Sequence, residues 1–396
     1  MKILLSAYAC EPYRGSEPGN GWNWALHLAR AGHQVQVLTR PDGRAAIELA
    51  LAVDPQPGLA FYYVDTPASV RGQAGVFGHY FSWQRAAYQA VRGTKLDVDL
   101  IHHVTWGSIH GGSLLWKTGF PFVFGPAGGG QTFPLQFRQY LGMAWGWEAL
   151  RNLFTSLLPY TPATRSLVRN SRLVLATNAD TLALVRRAGA QRSEYFLDSG
   201  LAEEFFPQAV PKRPGQRPLK ILWVARLMPR KAPRLALDAV RRLKIPYRLT
   251  ILGGGALEGN LRRWIQEYKL EDKVDARGQV DWSQVREVYQ EQDVFLLTSL
   301  RDSSPNQLLE AMAFGLPVVT LDHQGTRDMV PKRAGIKVPV STVEETVEGL
   351  AAALERLGND PDLRQEMGRV GYVFAKTHAW PEKTKRIERY YAEIQG

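Results

Sequence analysis

Residues 295–319 read FLLTSLRDSSPNQLLEAMAFGLPVV, and their pattern sets the fold class. Phe295, Leu296 and Leu297 are a short apolar run, as in a strand buried on both faces. Asp302 stands at its tip, a helix pattern follows over 307–314, and Gly315 stops that helix. Pro317 opens a second apolar run over 317–321. A strand, a helix and a second strand at this spacing make a βαβ unit, whose strands are parallel.

Working outward, the same alternation fills the chain. Strands are expected at 2–8, 34–39, 60–64, 99–104, 121–124 and 172–176, and again at 220–225, 248–252, 273–276, 294–298, 317–321 and 335–338. Helices are expected at 21–31, 232–243 and 257–268 as well as 307–314. Two series of six strands argue for two parallel-sheet units rather than one wide sheet. Between them, residues 207–218 (PQAVPKRPGQRP) hold four prolines and one glycine, which suits an extended linker. The expected domains are 1–207, completed by a terminal helix over 380–396, and 219–379, joined by 208–218. In such a protein a ligand is expected in the cleft, at the carboxyl ends of the strands.

Composition fits. The chain has 396 residues, 45% hydrophobic and 22% charged, which excludes disordered, collagenous and coiled-coil classes. Cys10 is the only cysteine, so there is no internal disulfide and a reducing compartment is expected. No run of 18 apolar residues exists, and the N-terminus reads as a first strand rather than a signal peptide. The net charge is +11, and residues 208–248 hold twelve Lys/Arg against Asp238 alone. Without zinc-finger, RNA-recognition or basic-zipper spacing, nucleic acid is not an expected partner. Lys212, Arg213, Arg241 and Arg242 read as a solvated linker and helix face; Arg226 and Lys231 fit that reading less well.

Two glycine-rich loops follow strands. Residues 10–22 read CEPYRGSEPGNGW and precede a helix, so Gly19 and Gly21 suit either a phosphate cradle or a plain turn. Trp24 occupies the third glycine position of the dinucleotide fingerprint and Thr39-Arg40 ends the second strand without an acid, so NAD is disfavoured. The second loop is ILGGG at 251–255. Glu310 lies eight positions after Asp302, early in its helix, where a carboxylate can accept both hydroxyls of a ribose; surface acids are the plainer alternative.

Taken with its neighbours, the Asp302–Glu310 stretch resembles the E-x7-E region of the retaining nucleotide-sugar glycosyltransferases of family GT4. Five other stretches resemble that family in the same order: VARLMPRK at 224–231, the loop 251–255, RGQV at 277–280, DSGLAEEFFP at 198–207, and the end from His378-Ala-Trp380 onward. The resemblance implies an α/β protein of two Rossmann-like doubly wound domains facing a cleft, the GT-B fold. It implies a nucleotide-diphosphate sugar as donor substrate, no cofactor and no obligatory metal. Arg226 and Lys231 would clamp the diphosphate, Glu310 the ribose, and Asp302 the donor sugar. Gly254, Gly255, Gln279, Val280, Ser303, Ser304, Asn306 and Gln307, with Gly19 and Gly21, would line the donor. Glu11, His103, Gly128 and Gly129 would face the acceptor, a glycan, lipid-linked glycan or small-molecule hydroxyl, and His102 is a further catalytic candidate.

The departures are specific. Asp302 stands where the family has Glu, Pro305 offers no N–H, Val104 replaces a second His, and Gly125 stands where many members have His. A GT-B sugar-nucleotide epimerase and a non-catalytic nucleotide-sugar-binding partner are the alternatives. Asp97/Asp99 and Asp360/Asp362 match a short D-x-D metal motif, but no metal is expected. Residues 133–172 hold seven aromatics and five Arg against Glu148 alone. They read either as a basic amphipathic segment on an anionic membrane or as a buried acceptor-side helix. The location expected is the cytoplasm, free or peripheral on the inner face of the plasma membrane.

Overall fold

A computed structural model of the chain describes residues 1–66, 75–211, 213, 215 and 218–395. Lys212 and three other residues of the expected linker lie outside the described residues. The strands are β1 (Lys2–Ala7), β2 (Gln34–Thr39), β3 (Leu59–Tyr63), β4 (Leu100–Thr105), β5 (Phe122–Ala127), β6 (Leu173–Ala176) and β7 (Ser193–Tyr195) in the first sheet. The second sheet holds β8 (Leu219–Val224), β9 (Tyr247–Leu252), β10 (Val274–Gly278), β11 (Val294–Leu297), β12 (Val318–Leu321) and β13 (Gly335–Val338).

Both sheets are parallel and both are doubly wound. The orders are β3-β2-β1-β4-β5-β6-β7 and β10-β9-β8-β11-β12-β13. Each therefore reverses direction once, between β1 and β4 in the first and between β8 and β11 in the second, where ligands of open α/β sheets bind. The strands are apolar on both faces because helices cover both. In β1, Ile3, Leu5 and Ala7 join one core cluster and Leu4 joins the other, the period-two alternation of a strand. Strand β7 was not expected, since three residues, Ser-Glu-Tyr, are too short to carry a pattern.

The chain divides into two compact units: Met1–Gly130, Phe154–Gly200 and Trp380–Gly396 form the first, and Gln131–Leu153 with Leu201–Ala379 the second. The first sheet's unit thus loses 131–153 and 201–207 from the expected 1–207. Side-chain chemistry accounts for this. Phe137 is fully buried and Tyr140 Oη donates to Asp238 Oδ2 at 2.9 Å, both within the second unit. Phe205 packs edge-on against Phe314 at 5.3 Å. The terminal helix Trp380–Gln395 belongs to the first unit, where Lys383 Nζ donates to the carbonyls of Leu197 at 2.5 Å and Ser199 at 2.6 Å. Three rings, those of Trp24, Phe196 and Trp380, surround that ammonium at 4.8 to 5.5 Å, and burial pulls it down to about 7.

Candidate active site

The site forms in the second unit, where the sheet reverses. After β8 the chain passes Arg226 and makes a short turn, Pro229–Lys231. After β11 it passes Thr298 and Ser299 to Asp302. These two strand ends are neighbours because β8 and β11 pair, with Val294 beside Ile221 and Phe295 beside Leu222. Thr298 locks them together. Its Oγ1 accepts from Trp223 Nε1 at 3.0 Å and lies 2.9 Å from the carbonyl oxygen of Ala232 and 3.2 Å from that of Lys231. Leu300 N donates to Arg230 O at 2.9 Å.

Lys231 and Asp302 form a buried ion pair through Nζ and Oδ2. Asp302 is otherwise fully engaged: Ser299 Oγ donates to it at 3.0 Å, Ser303 N at 3.2 Å, and Arg230 Nη1 lies 3.6 Å away. Burial alone would raise its pKa, but the cations of Lys231 and Arg230 and these hydrogen bonds hold the carboxyl below its ordinary range. Burial pulls Lys231 below its usual value, with Asp302 opposing. The Asp302 carboxyl is therefore ionised at neutral pH. Arg226 is exposed and carries no ion pair among the described residues.

Glu310 lies on the helix Asn306–Ala313. Tyr289, fully buried and stacked on Phe314 at 5.6 Å, donates its hydroxyl to Glu310 Oε2 at 2.9 Å. Burial pushes the Glu310 carboxyl up to about 7, with the Tyr289 hydrogen bond opposing. Nearby, Gln307 Oε1, His323 Nε2 and Gln324 Oε1 are buried acceptors or donors without a partner among the described residues. Ser304 is buried and Asn306 heads the helix. In the loop 251–255, Gly253 and Gly255 have φ of +130° and +151°, and a Cβ on either would strike the carbonyl oxygens of Ala225 or Leu227 at 2.0 and 2.5 Å. Those two glycines press the loop onto the segment before Lys231. Gly254 has room for a Cβ, with Gln279 as its neighbour at 3.6 Å, and Gln279 itself is exposed beside half-buried Val280.

Several site residues were not expected. Glu148 grips Arg301, the residue before Asp302, with a two-pronged ion pair at 2.8 and 2.9 Å. Gln131 Nε2 donates to Ser303 Oγ at 2.5 Å, and Gln324 Nε2 to Thr132 O. Arg151 Nη1 donates to Gln131 O at 2.8 Å, and burial together with Arg301 pulls its guanidinium down to about 10. Residues 131–153 therefore strap the Asp302 loop from outside. Their partners lie more than 150 residues away in the chain, so no local pattern announces them.

In the first unit the expectations need correction. His102 is a core histidine: Nε2 donates to Gly125 O at 2.6 Å and Nδ1 accepts from Tyr391 Oη at 2.6 Å, a tautomer fixed by the carbonyl. Burial pulls it down to about 3, so it is neutral and both nitrogens are taken. His103 is equally buried, against Ser6 Oγ at 2.9 Å and Tyr80 Oη at 3.3 Å, and is pulled down to about 4. Neither can meet a ligand as placed. Gly19 and Gly21 lie inside the helix Ser16–Arg30, where a Cβ would strike Arg14 O at 1.9 Å or Ala9 O at 2.1 Å. Their small size lets the helix pack closely on the loop before it.

Glu11 is held by Arg14 at 2.8 Å. Gly128 and Gly129 are tied to the 107–110 turn: Gly128 N donates to Gly107 O at 2.9 Å, and His110 Nε2 lies 2.9 Å from Gly129 O. Beside them Glu17, an unexpected residue, accepts from Gly107 N at 2.7 Å, and burial raises its carboxyl above the usual range. Of the D-x-D matches, Asp97 and Asp99 bind Lys2 and Asp360 caps the helix Pro361–Lys376. The helix Trp145–Leu157 is not a buried helix: Trp147, Leu150, Phe154 and Leu157 leave its apolar face more than half exposed. No helix among the described residues is long and apolar enough to cross a membrane.

Two doubly wound parallel-sheet units with a basic and acidic cluster at one reversal point define a class, the GT-B proteins. A family model described as Glycosyl transferase 4-like domain matches residues 22–197, and one described as Glycosyl transferases group 1 matches residues 207–373. Together they cover most of the chain, which belongs to the GT4-type glycosyltransferases. WcaL of Escherichia coli (strain K12), named for colanic acid biosynthesis, is 33% identical over 205 residues, 49% of this chain and 50% of that protein. The amylovoran biosynthesis glycosyltransferase AmsK of Erwinia amylovora is 37% identical over 151 residues, 36% of each chain. The chain spans about half the length, or less, of these curated relatives. In fold, it is similar to a sucrose-phosphate synthase from Thermosynechococcus elongatus, with a TM-score of 0.70 over 99% of this chain and 98% of that one, at 20% identity.

Proposed function

We propose that this protein transfers a glycosyl group from a nucleotide-diphosphate sugar to a hydroxyl acceptor in the synthesis of a polysaccharide or glycoconjugate, with retention of configuration and no obligatory metal. The observation that carries the reading is the buried Lys231–Asp302 ion pair, flanked by Arg226 and Arg230, at the reversal point of the second sheet. In the transfer, the bond from the sugar's anomeric carbon to the diphosphate oxygen breaks and a bond to the acceptor oxygen forms on the same face. The acceptor's proton passes to the departing phosphate oxygen. Lys231 and Arg226 meet the negative charge that grows on the leaving diphosphate, an effect largest where water is excluded. Asp302 holds the Lys231 ammonium in place and, through Ser299 and Ser303 N, fixes the loop that faces the sugar. Glu310, in its ionised form, accepts from the ribose hydroxyls. The unpaired Gln307 Oε1, His323 Nε2 and Gln324 Oε1 supply donor-side hydrogen bonds.

On the acceptor side, Glu17 and the Gly128–Gly129 turn of the first unit orient the attacking hydroxyl. The names of WcaL and AmsK support a polysaccharide pathway, and the family supports retention and a nucleotide-sugar donor. The test is incubation of the purified protein with a panel of nucleotide sugars and acceptors, with products read by mass spectrometry and anomeric NMR. Donor turnover with a new glycosidic bond of retained configuration supports the reading. A product isobaric with the donor would mean an epimerase. Tight donor binding without hydrolysis or transfer would mean a binding partner.

A further inference from the structure

The first unit contains a cavity of about 540 Å³, the size of a small-ligand site. Its walls are mostly apolar, formed by Phe81, Ile109, Trp116, Phe154, Leu158 and Leu167. Its charged lining residues are Arg85 and Lys117, and no carboxylate lines it. Both cations are exposed, and neither is in an ion pair among the described residues. The polar part of the wall is rigid. Gln84 is buried, donates to Tyr80 Oη at 3.0 Å, and accepts from Leu114 N at 3.0 Å.

Two features tie this cavity to the acceptor side. His110 lines it and reaches Gly129 O at 2.9 Å, so the cavity lies under the turn assigned above to the acceptor. A Cβ on Gly129 would come within 3.0 Å of both His110 and Ile109. The mouth is also apolar. Phe81 and Phe154 line the cavity while remaining 44% and 55% exposed. Phe77 and Leu157, one turn away on the same helices, are exposed too. Neighbouring exposed apolar side chains at the mouth of an apolar cavity mark a binding surface rather than ordinary surface scatter.

We propose that this cavity binds the hydrocarbon chain of an amphipathic lipid phosphate, with Arg85 and Lys117 holding the phosphate, and that such a lipid is the carrier of the acceptor. The second half rests on the glycosyl-transfer reading; the binding itself does not. A free sugar or nucleotide would call for many polar partners, whereas Gln84, His110, Ser113, Thr161 and Thr164 in this wall are already hydrogen-bonded within the protein. A hydrocarbon chain needs none and gains from leaving water. An anionic end suits two cations that have no acid beside them.

The full-length protein is titrated by calorimetry with dodecyl phosphate below its micellar concentration, with inorganic phosphate, and with phosphatidylglycerol vesicles. Dodecyl phosphate is expected to bind at least about 100-fold more tightly than inorganic phosphate. Leu158→Trp, which fills the cavity, should weaken it at least about 10-fold, and so should Arg85→Glu with Lys117→Glu. Ala163→Trp, at an exposed position of the rim, repeats the filling test without touching the core. Equal affinity for inorganic phosphate, or dodecyl phosphate binding indifferent to both filling variants, overturns the proposal. So does vesicle binding without monomer binding, which would make the apolar surface a membrane contact. A nucleotide-sugar titration on the same samples separates the two readings. Lipid binding without donor binding leaves the cavity assigned and removes glycosyl transfer; donor binding without lipid binding removes the cavity alone.

Discussion

The two sheets reverse in the same way and use polar side chains in opposite ways. On β4, beside the reversal of the first sheet, His102 and His103 are neutral and all their ring nitrogens are engaged by hydroxyls and carbonyls. At the reversal of the second, Lys231 and Asp302 form a buried ion pair, Arg226 is open to solvent, Glu310 is poised near neutrality, and three buried polar atoms have no partner among the described residues. Identical topology offers both units a ligand position. The second spends stability on keeping charges and three unmet hydrogen-bonding groups there, where the first has Trp106 Nε1 unmet just after β4 and the buried Glu17 carboxyl. Such spending is expected where chemistry happens.

The largest effect that can break this contrast is at Lys231. Lys231→Ala should lower kcat by about 100-fold or more, because a cation facing the leaving group acts chiefly in the transition state. It also strands the buried Asp302 carboxylate, so stability falls as well. Lys231→Met with Asp302→Leu removes both charges and should recover much of the lost stability, since an apolar pair of similar volume replaces a buried ion pair at little cost. Activity should not recover. A double variant that regains full activity would show that the pair is only structural.

A smaller effect is expected at the strap. Glu148→Gln loosens the fork on Arg301 and, through it, the loop carrying Asp302. Glu148 touches neither ion of the central pair, so it is a positioning residue. The expected outcome is a kcat lowered about 10-fold with donor affinity nearly unchanged, and partial rescue by Glu148→Asp. An unchanged kcat with a lowered melting temperature would reduce the strap to a domain brace.

His102→Phe tests the other half of the comparison. It leaves Tyr391 Oη and Gly125 O without their partner and should cost about 1–3 kcal/mol of stability. The kcat should stay within about threefold. A loss of 100-fold at unchanged melting temperature would move catalysis to the first unit.

These outcomes also show what the sequence could and could not tell. Twelve of the thirteen strands among the described residues were legible, because parallel strands covered on both faces leave continuous apolar runs such as 295–297. Lys231, Asp302 and Glu310 were legible because the chemistry sits at strand ends and a helix start, with short fixed spacings. The strap was not. Glu148 and Arg301 stand 153 positions apart, and each reads alone as an ordinary surface charge. The histidines misled for a related reason: a polar residue in an apolar strand looks the same whether it faces a ligand or is satisfied by a partner such as Tyr391, 289 positions away. Gly19 and Gly21 read two ways because close packing, which the structure shows, and ligand approach both call for glycine.

The smallest and most diagnostic effect belongs to Glu310. Its carboxyl is pushed up to about 7 from an ordinary value near 4.5, with burial the dominant cause. An acid whose pKa is higher folded than unfolded keeps its proton in the folded state while the unfolded chain ionises. Its contribution therefore favours folding below about pH 4.5 and is lost as pH rises from there to about 7. Glu310→Gln, which has no proton to lose, should flatten that part of the stability curve. Donor binding has the opposite sign. Ribose hydroxyls donate best to the ionised carboxylate, so affinity for a nucleotide-diphosphate sugar should tighten several-fold between pH 6 and 8. The bound donor in turn pulls the proton off, so binding near pH 6.5 should release a fraction of a proton. Calorimetry in two buffers of different ionisation enthalpy reads that fraction directly, and a nucleotide sugar is the right probe because its diphosphate diester does not titrate in this range. Wild type should release protons and Glu310→Gln should not. Equal release from both proteins would place the titrating group elsewhere and leave Glu310 as a partner of Tyr289 alone.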